Sequence, residues 1–141
     1  MSLEPTSPYL LIFRDTSPDL YRALSPEERV ALLNRWRAWA HQLKDTGKLV
    51  QGSPLADEGR VVKGPRGRHV VDGPYAESKE EIVGYFLVNA ADFEEATAIA
   101  GECPGLPHGM VVEIRPLADC CAVSRTLEVP SASSSQHEVF A

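Results

Sequence analysis

The sequence predicts an α+β fold, and three observations carry the prediction. A nearly all-apolar run, Tyr9-Leu10-Leu11-Ile12-Phe13-Arg14, reads as a strand buried on both faces. Helix-start signals stand at Ser25 and again at Asp92, each followed by a helical stretch and then a strand-like run. Between the two units lies a short hairpin with a glycine-rich turn. A β-α-β unit, a hairpin and a second β-α-β unit on one antiparallel sheet, with both helices on one face, is the ferredoxin-like arrangement. The other sheet face would stay open and partly apolar, and pairing two such faces predicts a homodimer.

Each element follows from local chemistry. Ser25 can cap a helix, Pro26 suits its first position, and Glu28 completes a capping box; Thr46-Gly47 stops the helix after Asp45. Along it Val30, Leu33, Ala40 and Leu43 recur at helical spacing, widened by Leu32, Trp36 and Trp39, with Asn34, Arg37, His41 and Lys44 opposite. Lys48 to Gly52 is a short second strand. Arg60–Lys63 and Arg68–Val71 form the hairpin around Gly64-Pro65-Arg66-Gly67. Ile82 to Val88 is a long central strand. Asp92 and Glu95 offer another capping box for a helix with Phe93, Ala96, Ile99, Ala100 and Cys103 inside. Met110 to Arg115 is the last strand. From Ala118 the composition shifts, and the serines between Ser131 and Ser135 predict a flexible tail. The organisation read here is one domain over residues 1–117 and a tail over 118–141.

Composition narrows the function. The chain has 141 residues, enough for one core, and a net charge of −6 that argues against nucleic acid as a partner. Its longest apolar run, Tyr9 to Phe13, is far below the ~20 residues of a membrane span, and no basic or apolar leader precedes it. Three cysteines, Cys103, Cys120 and Cys121, form no paired framework, which fits a reducing cytoplasm. With His108 they match no standard zinc spacing, so no metal is expected. Phosphate loops, dinucleotide-binding glycines, nucleophile elbows and zincin motifs are absent, and no bound cofactor is expected.

Asp72-Gly73-Pro74-Tyr75, then Glu77, Lys79-Glu80, Gly84-Tyr85 and Glu113-Ile114-Arg115-Pro116 form an ordered set. Together they resemble the YCII-related, or DGPF-domain, proteins, over Tyr9 to Leu117. The resemblance implies a dimeric α+β barrel, within a superfamily that includes small isomerases, dehalogenating enzymes and cofactor-free oxygenases. Some members are encoded near extracytoplasmic-function sigma factors. Two departures stand out. Tyr75 replaces the phenylalanine of the motif, and Trp36 occupies the place where relatives carry a helix histidine proposed to pair with an aspartate.

Candidate chemistry is sparse. Asp72 is first a turn residue, since Asp bonds backbone groups two positions on and Gly73 accepts positive φ. At a cleft mouth its carboxylate could instead serve as general base, with the Tyr75 hydroxyl beside it. His41 and His137 read as solvated, and His69 and Asp72, three apart on a strand, face opposite sides. His108 sits in the loop before the last strand, where loops often carry function. Trp36, Trp39, Tyr85 and Phe86 are core or interface residues, or a flat wall for a lipophilic ligand. Tyr85 and Phe86 face opposite sides, so one cavity can use only one of them. Arg60, Lys63, Arg66 and Arg68 make the hairpin basic, either as a solvated surface or to attract an anionic group. Two functions are therefore expected. One is a small-molecule binder with cofactor-free acid–base activity, using Asp72 and His108 with Trp36, Tyr75 and Tyr85 around the ligand. The other is a non-catalytic ligand-binding or regulatory module.

Overall fold

Strand alternation sets the core. Along β1 (Ser7–Asp15) Tyr9, Leu11, Phe13 and Asp15 are buried, while the residues between them are half-buried. The strand is thus sealed on one face, and the expectation of burial on both faces is not met within a single chain. The computed structural model describes residues 5–16, 19–73 and 81–127. Tyr75 and the serine-rich stretch from Ser131 lie outside the described residues.

The remaining elements are α1 (Asp19–Arg22), α2 (Pro26–Asp45), β2 (Leu49–Pro54), β3 (Gly59–Lys63), β4 (His69–Gly73), β5 (Glu81–Ala90), α3 (Phe93–Gly101), β6 (Met110–Pro116) and α4 (Ala122–Thr126). Four strands form one antiparallel sheet in the order β2-β5-β1-β6, the ferredoxin-like α+β arrangement. The hairpin β3-β4 is a separate two-stranded sheet. It carries Val62, Val70 and Val71 exposed, and its turn places Gly64, Arg66 and Gly67 at positive φ.

Helix α2 begins where its capping box predicts. The Ser25 Oγ accepts from the Glu28 amide at 3.1 Å, and the Glu28 Oε1 accepts from the Ser25 amide at 3.1 Å. Leu32, Trp39 and Leu43 are buried and Trp36 half-buried, a stripe recurring every three or four residues. Val30 and Leu33, expected inside, are exposed. The two tryptophans define the contact line, and residues one step round the helix fall outside it. At α3 the Asp92 Oδ1 accepts from the Glu95 amide at 2.8 Å. The return bond lands one residue earlier than the box predicts, on the Ala91 amide. Ala96, Ile99 and Ala100 face the core, whereas Phe93 is half-exposed, its ring 5.7 Å from that of Tyr9.

Both long helices pack on the Leu11 face of the sheet. The opposite face presents Leu10 beside Leu87 and Ile12 beside Tyr85, all half-buried. Charge borders this patch: the Arg14 Nε donates to the Glu113 Oε1 at 2.9 Å, and Arg115 Nη1 to the other Glu113 oxygen at 3.2 Å.

Candidate functional site

A cleft of about 570 Å³ opens between α2 and one end of the sheet. That volume lies in the range of small-molecule sites. Phe13 and Phe86 supply its wall on the sheet, while Leu33, Trp36 and Ala40 line it from α2. Gly84 adds a side-chain-free position, since a Cβ there would stand 3.0 Å from the Ser53 carbonyl oxygen. The aromatic groups interlock edge to face: Phe13 with Phe86 at 5.1 Å and 84°, and Trp36 with Trp39 at 5.5 Å and 70°.

Two polar groups stand in this apolar lining where β1 ends and α1 begins. Asp15 is only 6% exposed, a carboxylate continuing the buried row of Tyr9, Leu11 and Phe13. Tyr21, on α1, turns a buried hydroxyl that has no hydrogen-bond partner among the described residues. Burial, then the negative charge of Asp15 and a smaller effect of Cys103, push its phenol up to about 12. At neutral pH Tyr21 is therefore a protonated donor.

Neither residue was singled out from sequence. Asp15 was legible in one respect: extending the alternation of Tyr9, Leu11 and Phe13 by one step puts it on the core face. The expected strand ended at Arg14, one residue too soon. Tyr21 lies on a single turn of helix with no periodicity to reveal it.

Of the predicted site residues, Trp36 lines the cleft. Asp72 is on the hairpin, its side chain 98% exposed and 4.0 Å from the Arg60 Nε. It borders a shallow depression with Glu58, Gly59 and Arg60. His108 is half-buried in a 3₁₀ turn, Leu106–His108, and lines a different recess with Arg35, Trp39 and Cys103. Its ring centroid is 6.2 Å from that of Tyr21, so it approaches Tyr21 without lining the cleft. Tyr85 faces away from Phe86, toward the open side of the sheet. The structure thus joins Trp36 to Asp15 and Tyr21, and holds Asp72, His108 and Tyr85 elsewhere.

Among the described residues no three His, Cys, Asp or Glu side chains gather in a way that could hold a metal ion. No helix among them is long and apolar enough to cross a membrane. Cys103, Cys120 and Cys121 are free thiols.

Comparison with known proteins agrees with the motifs. A family model described as the YCII-related domain matches residues 8–118. An uncharacterised protein of Rhizobium meliloti (strain 1021) is 30% identical over 116 residues, covering 77% of this chain and 90% of the relative.

Proposed function

The chain belongs to the family of the YCII-related domain, and from that premise we propose that it binds a small, largely apolar molecule in the cleft between α2 and the sheet and acts on it by cofactor-free acid–base chemistry. One observation carries this reading. A buried carboxylate, Asp15, and a buried Tyr21 hydroxyl with no partner among the described residues both line the edge of an apolar cavity of ligand size. A carboxylate at the edge of an apolar cavity stands where it can accept a proton from a bound ligand. We therefore assign the general base to Asp15. Asp72 lies in β4 opposite Arg60, with its side chain exposed and outside this cavity, rather than in the turn expected of Asp-Gly-Pro.

The test is a thermal-shift screen of small aromatic and alicyclic compounds on wild type, Trp36→Ala and Asp15→Asn. Binding is expected in wild type, weakened in Trp36→Ala, with turnover lost in Asp15→Asn. Absence of any saturable ligand would remove the reading. Binding without turnover would favour the regulatory module.

We also propose that two copies pair through the open sheet face. Leu10, Ile12, Tyr85 and Leu87 form an apolar patch that neither long helix of the same chain covers. Sheet-on-sheet packing would take it out of water. Light scattering should give twice the chain mass, and Ile12→Glu should halve it. A wild-type monomer at micromolar concentration contradicts the pairing.

A further inference from the structure

We propose that the ligand of this cleft is a carbonyl compound with a ring-bearing apolar body and an acidic C–H beside the carbonyl, and that Tyr21 holds its oxygen while Asp15 takes its proton. The inference rests on the cleft being the ligand site, and it adds the substrate class and a role for Tyr21.

The Tyr21 hydroxyl has no hydrogen-bond partner among the described residues. A buried hydroxyl without a partner is costly, and it persists where something else supplies the partner. The Tyr21 hydroxyl makes no hydrogen bond to Asp15, although the two are close enough for the carboxylate's charge to act on the phenol. A phenol that stays protonated at neutral pH can donate to a ligand oxygen. Asp15, as a carboxylate, only accepts. One end of the cleft therefore offers a donor and a proton acceptor side by side, with aromatic faces at Phe13, Trp36 and Phe86 for a flat body. Arg37, the cation among the lining residues, is solvent-exposed. A neutral carbonyl matches this end of the cleft, since its oxygen can accept from Tyr21 and its apolar body can lie on the aromatic faces.

The step is a proton transfer and balances without a co-reactant. The C–H bond adjacent to the carbonyl breaks, and its proton goes to an Asp15 carboxylate oxygen. The electron pair moves through the carbon–carbon bond to the carbonyl oxygen. The resulting enolate oxygen accepts the Tyr21 hydrogen bond, which is stronger to this oxyanion than to the neutral ketone. Asp15 then returns its proton, to the same carbon or to a conjugated one.

Indane and 2-indanone test the proposal because they share a shape and differ in the carbonyl. Indane binding to wild type, followed by tryptophan fluorescence, tests the cleft itself. 2-Indanone is expected to bind about tenfold more tightly than indane, with the advantage lost in Tyr21→Phe. Deuterium uptake at its methylene carbons in heavy water, followed by proton NMR, should be accelerated by wild type. Uptake should fall on the order of 10²-fold in Asp15→Asn and about tenfold in Tyr21→Phe. Tyr21→Phe removes a hydroxyl that bonds nothing among the described residues, so its fold should survive, and circular dichroism checks both variants. If indane fails to saturate, the cleft reading fails. If indane binds but 2-indanone shows no Tyr21-dependent gain or no accelerated exchange, the cleft stands and this proposal is overturned.

Discussion

Phe13 and Trp36 meet edge to face, their ring centroids 5.1 Å apart at 88°. This contact ties the middle of α2 to the central strand and sets the width of the cleft between them. Trp36→Ala should therefore act twice, lowering stability by about 2–3 kcal/mol and weakening apolar ligands. The figure is below the usual cost of deleting a fully buried tryptophan because Trp36 is only half-buried. Urea denaturation measures the first effect and fluorescence titration the second. Trp36→Phe should recover part of both.

Gly52 holds β2 against β5 by having no side chain. A Cβ there would stand 2.9 Å from the Tyr85 carbonyl oxygen and press on the Phe86 ring. Gly52→Ala should cost about 1–3 kcal/mol through displacement of the edge strand. A calorimetric midpoint equal to wild type would show that β2 moves aside freely.

Glu113 gives the acid limb a predictable sign. Hydrogen bonds from Arg14, then Arg115, hold its carboxyl below the usual range around 4.5. Because its folded pKa is the lower one, its contribution is complete above the unfolded value and disappears as pH falls through the folded value. The thermal midpoint should drop over that window, and Glu113→Gln should make the drop shallower. The group is half-buried but still reached by solvent, so the difference should shrink in high salt. A salt-independent difference would contradict this account.

Cysteine labelling should be strongly uneven. Burial pushes the Cys103 thiol up to about 11, leaving little thiolate at neutral pH. Cys121 is exposed, and its contact with Ser124, 3.5 Å from sulfur to hydroxyl, lowers its pKa. Iodoacetamide followed by mass spectrometry should find Cys121 modified well before Cys103. Equal rates would mean that the Cys103 region opens readily.

The elements with local signals were legible and those fixed by tertiary contact were not. Ser25, Pro26 and Glu28 announce α2, and Thr46-Gly47 its end, because capping is decided within a few residues. The hairpin was visible for the same reason, its turn glycines being required at positive φ. Which side of α2 turns inward was not, since Val30 and Leu33 are as apolar as the residues that won. Only the meeting of Trp36 and Trp39 with Phe13 and Phe86 decides it. The site followed the same division. Trp36 is legible as an aromatic on the helix, whereas Asp15 and Tyr21 gain meaning only when the fold brings both to the lining of one cleft. Asp72 drew attention through its motif, and motif alone does not reveal that a side chain faces water.

The central position of β1 has a consequence for how the chain leaves the ribosome. Tyr9 pairs with Val88 on one side and with Pro116 on the other. At about 5–20 residues per second, Pro116 is made roughly 5–20 s after Tyr9. Throughout that interval Leu10, Leu11, Ile12 and Phe13 have been synthesised without the strand that closes their second edge. An unpaired apolar strand is a template for association with other chains. Until β6 is made, the second edge of β1 therefore stays open to pairing with another chain.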